Sequence, residues 1–437
     1  MLKNISKSKL EYFRNLFFSY LSQIAAGLTL FIATPFLIKG LGLQLYGVYA
    51  LIFSFNSYFN LTDIGLSTSL IRETVNGVIK NDLTGVKLAL NSTIFYYIVT
   101  FICILFLSIA LLDPRLGNLG RFLIKDTKLV NTFYNAFLVV ILTFFLNLVI
   151  QIFDAVLQGF NKIYINKRIK AIRNLLECAG FILISIYHPN IFLLLFVSLS
   201  LAFLHLAYLY SVFHKITKIK LNIKDRDLVV FKNLLKQGIW YFIGSFSVVL
   251  IFNTNIFIIS SVLGIQYVGI FFVYNRFFEV IRTGFVTLTQ TLFPKIAEMK
   301  YKGENVKLLN LFFKIWIGLG GLLLVIFYPL QHWGLLIFQH WSKLQNVDSR
   351  LYFFFLIFNS FIIWDNCPSI FIGAIGEQKR QAMVSILQGI INVVLGYILI
   401  KNYGLDGAIV SSIIALLITN IWYNVYFLNN KLKYANG

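Results

Sequence analysis

The chain has 437 residues, of which 58% are hydrophobic and 13% charged, and it carries a formal net charge of +21. A soluble domain holds about 25% charged residues, so the composition excludes an ordinary soluble protein. The cations sit in short segments between long apolar runs, which is a topology signal and excludes nucleic acid as the expected partner.

The apolar runs are continuous and do not alternate with period two. Backbone groups facing lipid must be satisfied internally, so the runs predict helices, not an outer-membrane barrel. At about 20 apolar residues per span, the chain predicts twelve. Six lie in the first half, at 16–38, 46–67, 88–112, 131–159, 171–187 and 190–213. Six lie in the second, at 238–262, 268–293, 308–328, 351–373, 383–400 and 407–428. The first run follows a basic start and is too long for a cleaved leader, so it is expected as a retained helix. The fifth is the weakest, because it is short and holds Arg173 and Glu177. With the N-terminus inside, 27 of the 38 Lys and Arg fall on the cytoplasmic side, counting Arg173 at the inner end of the fifth span, and 8 outside. The expected topology is therefore a multi-pass inner-membrane protein with both termini cytoplasmic. The richest basic segment, 214–237, falls at the midpoint. Its Leu228, Phe231 and Leu235 have helical spacing and predict a helix along the membrane surface. Trp333, Phe338 and Trp341 predict an interfacial aromatic belt.

The sequence also repeats. Leu41-Gly42-Leu43-Gln44-Leu45-Tyr46-Gly47-Val48-Tyr49 recurs as Leu263-Gly264-Ile265-Gln266-Tyr267-Val268-Gly269-Ile270-Phe271, and Gly159-x-x-Lys162 is echoed by Gly376-x-x-Lys379. Six spans per half is an even number, so both halves enter from the same side. The expectation is two lobes, residues 1–222 and 223–437, related by a pseudo-twofold axis along the membrane normal, with the substrate path between them.

Charged residues inside spans cost about 2.5–3.5 kcal/mol at the helix centre, so they face a cavity or a partner. Three polar stripes stand out. Helix 2 carries Asn56, Asn60, Asp63 and Ser67; helix 4 carries Asn147, Gln151, Asp154 and Gln158; helix 8 carries Arg276, Glu279, Thr283, Thr287 and Gln290, with Asn275 and Arg282 at its shoulder. At about 100° per residue each stripe occupies one face. Together they predict a wet cavity. The competing reading is structural: Arg276 or Arg282 pairs with Glu279 on the same helix, and the amides join helices. Repeat symmetry favours Arg282 over Arg276 as the cavity residue, so both are named.

The remaining features are weaker. Asp225-Arg226-Asp227 resembles a metal-binding motif of sugar transferases but lacks the surrounding domain, and is expected to be a solvated loop. Gly318, Gly320 and Gly321 predict close helix packing. The three cysteines and five histidines show no metal-ligand spacing. No nucleophile stands beside a base, so no enzyme activity is expected. A glycan polymerase or ligase would need catalytic residues in an external loop, where only His332 and His340 stand out.

The run from Leu41-Gly42 to Tyr46-Gly47-Val48-Tyr49, then Asp63-Ile64-Gly65-Leu66, resembles the opening of Wzx-type polysaccharide-biosynthesis (O-antigen) flippases. Tyr274-Asn275-Arg276 running to Leu292-Phe293-Pro294, and Asn392 followed by Tyr403-Gly404-Leu405-Asp406-Gly407-Ala408, extend the resemblance over nearly the whole chain. The superfamily also holds multidrug extruders of the MATE type and lipid II flippases. The resemblance implies an all-α MATE-like fold of two six-helix bundles, with helices 1, 2, 7 and 8 lining a central cavity that opens alternately to each side. It implies an undecaprenyl-diphosphate-linked oligosaccharide as substrate, for O-antigen, capsule or exopolysaccharide synthesis. Membrane lipids, a polysaccharide polymerase and a chain-length regulator are the implied partners. No cofactor is implied beyond a coupling proton or sodium ion. Arg276 and Arg282 would suit the diphosphate; Asn56, Asn60, Asn275 and Gln151, with the acids Asp63, Asp154 and Glu279, would complete the cavity. The alternative is a cation-coupled multidrug extruder on the same scaffold, using Asp63 or Asp154. Helices 1 and 7 contain no acid, and helix 1 has no arginine, which departs from the drug extruders and the lipid II flippases respectively.

Overall fold

A computed structural model describes residues 2–433 apart from residue 223, and describes no side chains for residues 2–13, 237, 240 and 241. Among the described residues the protein is all-helical. The chain runs α1 (Leu2–Asn60), α2 (Leu66–Lys80), α3 (Thr84–Leu112), α4 (Leu119–Leu123), α5 (Thr127–Gly159), α6 (Ile163–Tyr187) and α7 (Ile191–Thr217). It continues with α8 (Leu228–Val262), α9 (Ile265–Gln290), α10 (Phe293–Tyr301), α11 (Asn305–Ser342), α12 (Ser349–Ala374), α13 (Gln378–Ile418) and α14 (Asn420–Lys433).

Among the described residues, eight helical stretches are long and apolar enough to cross a bilayer. Two of them, Arg14–Asp63 with 50 residues and Gln378–Lys433 with 56, are each about twice as long as one pass needs at 1.5 Å per residue. Each is broken by a glycine that leaves helical geometry, Gly42 (φ 75°, ψ 165°) and Gly404 (φ 61°, ψ −136°). Taking these as two passes apiece gives ten segments, and α6 and α9 complete the twelve expected. Those two are less apolar because they carry charges: Lys167, Arg168, Lys170, Arg173 and Glu177 on α6, and Arg276, Glu279 and Arg282 on α9.

The sequence repeat has a backbone counterpart. Gly42 and Gly264 occupy the same place in the repeated motif, and Gly264 (φ 112°, ψ 164°) breaks the chain between α8 and α9 as Gly42 does inside α1. Only glycine adopts this region without strain. The weaker echo is offset by two residues. The turns after α5 and α12 share one hydrogen-bond pattern, with Lys162 N–H donating to Leu157 O and Glu377 N–H to Ile372 O. Their left-handed residues are Asn161 and Gly376, so Asn161, not Gly159, corresponds to Gly376.

The chain forms two compact units, Met1–Phe242 and Ile243–Gly437, and the boundary falls inside α8. In the first unit, α5 is the central helix. Its Phe144, Leu148, Ile152, Phe153, Val156 and Leu157 pack with Leu66, Leu70, Tyr97, Leu209 and Phe213. α1 lies along α6, where Gly40 meets the Ser185 backbone and Thr29 Oγ1 donates to Asn174 O at 2.9 Å. In the second unit α12 is central. Tyr274 and Phe278 of α9 stack with Phe338 of α11 and with Tyr352 and Phe355 of α12, at centroid distances from 4.5 Å for Tyr274–Phe338 to 5.8 Å for Phe278–Phe355.

Two expectations are corrected here. Leu228, Phe231 and Leu235 do not form a separate surface helix. They belong to the first turns of α8, where Phe231 and Leu235 pack on the core of the first unit and Leu228 is exposed. The predicted loop after residue 328 is largely helix, since α11 runs on through Pro329 to Ser342. Of the three aromatics Phe338 is fully buried, Trp341 half-buried and Trp333 strongly exposed, so they are not one belt.

The segment after α7 is pinned to α3. Lys87 Nζ donates to Asp225 Oδ2 at 2.6 Å, Asp227 N–H donates to Ser92 Oγ at 3.0 Å, and the Arg226 guanidinium lies 4.1 Å from the Phe95 ring centroid. Asp225-Arg226-Asp227 is thus a structural clamp; Asp227 Oδ1 also caps α8 by accepting from Val229 and Val230. The hydrogen bond from Lys87 holds the Asp225 carboxyl below its usual value of 3.8, with the Lys87 charge and Asn222 acting in the same direction. A depressed carboxylate stabilises the clamp above the unfolded pKa and loses that contribution as pH falls. Amide exchange at residues 224–228 is therefore expected to rise as pH drops below about 4, and Lys87→Met is expected to raise exchange at neutral pH and remove the pH dependence.

Candidate functional site

Polar residues that cannot face lipid gather in each unit separately. In the first unit they line a cavity of about 190 Å3 between α1, α5, α6 and α7. Asn56 comes from α1, Thr143 and Asn147 from α5, Arg173 and Glu177 from α6, and Ser198 from α7, with Tyr49, Ile52, Phe53, Val140 and Leu195 as apolar wall. Residues 173 and 177 are four apart and so share one face of α6. Arg173 Nη1 donates to Asn147 Oδ1 at 2.8 Å, and Ser198 Oγ donates to Glu177 Oε1. The arginine and the glutamate are thus each held by a different helix. The Arg173 Nε–H is buried with no hydrogen-bond partner.

In the second unit the charges lie on α9. Arg276, 4% exposed, pairs through Nη1 with Glu279 Oε2 at 2.5 Å, and Glu279 is 34% exposed. The Arg276 guanidinium also lies over Phe272, 4.2 Å from its ring centroid. Arg282 Nη1 donates to Asn359 Oδ1 of α12 at 3.3 Å, with its guanidinium 4.7 Å from the Phe252 centroid. The structural reading therefore applies to Arg276, which is buried and locked one turn along its own helix. Arg282 is half-buried and hydrogen-bonded to a neutral amide, with the Glu279 charge acting on it as well, and is the more open of the two cations.

Of the sequence-predicted residues, Asn56 lines the cavity of the first unit. Asn60 continues its face to the end of α1, but Asp63 and Ser67 do not. The helix ends at Asn60, a 3-10 turn spans Leu61–Asp63, and Ile64 and Gly65 are left-handed before α2 restarts. A stripe at 100° per residue needs an unbroken helix. Asn60 is exposed. Asp63 Oδ1 accepts from Ser67 N–H at 3.0 Å, from Ser67 Oγ at 2.8 Å and from Tyr97 Oη, so it fixes the turn. On α5, Asn147 enters the cavity. Asp154 is buried two turns further along, accepting from Gln158 Nε2 at 3.0 Å, with Asn166 and Lys167 of α6 beside it. Gln151 and Asn275 are half-buried. Arg173, Glu177, Ser198 and Thr143 were not among the predicted site residues. The signal in the sequence is the pair of charges four apart in the fifth span, a spacing that puts both on one helical face.

Among the described residues, no group of three His, Cys, Asp or Glu side chains could hold a metal. His332 and His340 are exposed on one face of α11, where His332 stacks on Tyr328. Gly320 packs close to Trp364, while Gly318 and Gly321 border open space; the α11 turns from Trp316 to Phe327 form an apolar groove with α12.

The family model for polysaccharide biosynthesis proteins matches residues 12–300. The chain belongs to the polysaccharide biosynthesis protein family. Among curated relatives, "Uncharacterized membrane protein EpsK" of Bacillus subtilis (strain 168) is 23% identical over 426 residues, covering 92% of this chain and 80% of its own length. Proteins of Shigella flexneri and Salmonella typhi, each named "Putative O-antigen transporter", are 24% and 22% identical, over 86% and 95% of this chain and 88% and 96% of theirs. Among solved structures, a multidrug-resistance MATE transporter in an inward-facing conformation superposes with a TM-score of 0.79 at 13% identity, covering 95% of this chain and 99% of that one. The lipid II flippase MurJ superposes with 0.71 at 16% identity, over 96% and 87%. This member of the polysaccharide biosynthesis family is thus a multi-pass membrane protein with a MATE-like fold.

Proposed function

We propose that the protein is a flippase that carries an undecaprenyl-diphosphate-linked oligosaccharide across the bacterial inner membrane, for surface-polysaccharide synthesis, and that it is not an enzyme. The observation that carries this reading is the cavity of the first unit. It places two amides, two hydroxyls, an arginine and a glutamate inside an apolar helical unit, where an unused polar group is expensive. The O-antigen transporter names of the relatives and the family description support the class of cargo. Arg282, half-buried, hydrogen-bonded to an amide, lying over an aromatic face and within reach of the Glu279 charge, is the residue of choice for the diphosphate, because a guanidinium binds phosphate oxygens bidentately. Two lobes, 1–222 and 223–437, would alternate access with both termini in the cytoplasm. A polymerase and a chain-length regulator on the far side would take the product.

The test is genetic. In a strain lacking the gene, surface glycan is expected to disappear while lipid-linked repeat units accumulate inside, and wild-type protein restores display. Arg282→Ala at matched membrane level is expected to lower display at least ten-fold, whereas Arg282→Lys keeps part of it. Full display with Arg282→Ala would make that arginine structural.

A second reading, a cation-coupled extruder, draws on the buried acids. Asp154 accepts from Gln158 Nε2 with Lys167 beside it, and Asp365 of α12 is 8% exposed and held by Asn424 Nδ2 at 2.9 Å. Such groups suit a coupling proton or sodium ion. Unchanged drug tolerance in the deletion strain would set the extruder reading aside and leave the ion as the driving force of the flippase.

A further inference from the structure

We infer that the cavity between α1, α5, α6 and α7 is a subsite for one uncharged sugar ring of the cargo, and that it, not the diphosphate contact, selects the glycan. The inference rests on the flippase reading and adds to it the class of ligand and the residues that read it.

Size comes first. A volume of about 190 Å3 corresponds to about six waters at ~30 Å3 each. That suits a single pyranose ring and is too small for a second ring or a prenyl chain.

Charge decides between sugar and phosphate. The cavity holds one cation, Arg173, and one anion, Glu177, on the same face of α6, so its formal charge is zero. A diphosphate entering there would meet the Glu177 carboxylate as well as the guanidinium, and like charges in a low-dielectric site repel strongly. A neutral polyol meets no such penalty.

Hydrogen-bond bookkeeping points the same way. Arg173 uses Nη1 on Asn147 and leaves a buried Nε–H unpartnered. Glu177 accepts on Oε1 from Ser198, which leaves Oε2 as an acceptor. Asn56, half-buried in the wall, supplies a carboxamide with both donors and an acceptor. A buried polar atom with no partner costs about 1–3 kcal/mol, and its retention calls for an explanation in a ligand or water. Hydroxyls donate and accept at once, so a sugar satisfies an unused donor and an unused acceptor in the same small space. Phe53, half-buried in the wall, offers an apolar surface to the carbon face of the ring. Arg173 and Glu177 are preset by Asn147 and Ser198 on neighbouring helices, so their directions are fixed before the ligand arrives, as discrimination between epimers requires. A site that hydrogen-bonds a hydroxyl rejects an analogue lacking it far better than an apolar pocket can.

The experiment uses the full chain in lipid nanodiscs. The probes are methyl glycosides of the sugars in the host's surface glycan, with inorganic diphosphate as the competing anion, read by saturation-transfer NMR. One glycoside is expected to give signal with wild type, to lose at least ten-fold in affinity with Glu177→Gln and with Asn56→Leu, and to resist displacement by inorganic diphosphate. Melting curves confirm that each variant is folded. If Glu177→Gln does not fold, Asn56→Leu and Ser198→Ala carry the comparison. No glycoside signal with wild type, unchanged signal in every folded variant, or displacement by diphosphate together with loss in Arg173→Gln would each overturn the subsite. Those failures are separate from failure of the flippase reading, which shows as wild-type protein unable to restore glycan display in the deletion strain.

Discussion

Gly65→Ala is expected to lose much of the folded protein, and Gly238→Ala, where only the backbone clash applies, somewhat less. Gly65 has φ 73° and opens the turn into α2, and a Cβ there would lie 2.5 Å from the Gly238 carbonyl oxygen of α8; the reverse substitution strikes the Ile64 carbonyl. The left-handed backbone costs a non-glycine residue about 1–2 kcal/mol. Forcing two backbones apart in a packed interior adds about 1–3 kcal/mol. A loss of about 2–5 kcal/mol is a large part of a domain stability of about 5–15 kcal/mol. Ser69 Oγ donates to Leu234 O at 2.9 Å across the same contact, so α2 and the first turns of α8 have little room to separate. Gly244→Ala is the control, because nothing lies within 4 Å of its Cβ position. Fluorescence-detected size-exclusion of detergent extracts is expected to show a reduced monodisperse peak for the first two variants and a normal one for the third. Equal peaks for all three would mean that the α2–α8 contact yields easily.

The second large effect concerns the ion pair of α9. Glu279→Gln removes the carboxylate 2.5 Å from a guanidinium that is 4% exposed. Breaking a fully buried pair by removing one partner costs about 3–5 kcal/mol. Glu279 is one-third exposed, so the expected loss is smaller, about 2–3 kcal/mol, seen as a fall of roughly 5–10 °C in Tm. Replacing both partners, Arg276→Met with Glu279→Met, removes the stranded Arg276 charge and is expected to recover part of that loss, since well-packed apolar residues replace a buried pair at little net cost while Arg282 still lacks the Glu279 charge that acts on it. If Arg276→Met with Glu279→Met melts as low as the single variant, the pair contributes through something besides its charges. The same double variant separates structure from transport: near-normal stability with near-normal glycan display would leave Arg282 as the cavity cation of α9.

These contrasts show what the sequence could and could not reveal. Apolar run length predicted the spans well, because lipid admits few alternatives to a helix of about 20 residues. The repeated Leu-Gly motif marked two helix breaks, since both need a glycine conformation that side chains disfavour. Periodicity failed where helical continuity failed. The stripe from Asn56 to Ser67 assumed one helix, but Ile64 and Gly65 turn the chain, and Asp63 is consumed in fixing that turn. Periodicity also cannot say whether a charge is already spent. Arg276 and Arg282 look alike in sequence, and only the distances separate the arginine locked on Glu279 from the one resting on Asn359. Arg173 and Glu177 were legible as intramembrane charges. Their partners Asn147 and Ser198 lie on other helices, 26 and 21 residues away in the chain, so their joint cavity is a tertiary fact.

The central claim is translocation of a lipid-linked glycan, and one reconstitution tests it most directly. Purified protein is placed in sealed liposomes containing the host's undecaprenyl-diphosphate-linked repeat unit, and the glycan accessible to an impermeant oxidant is measured under imposed proton or sodium gradients. Protein-free liposomes are expected to protect the inner-leaflet glycan. Wild-type protein is expected to make that pool accessible under a gradient of one ion, and Arg282→Ala to slow the process at least ten-fold. A protected pool that stays protected with folded wild-type protein under gradients of either ion and either sign would contradict the account.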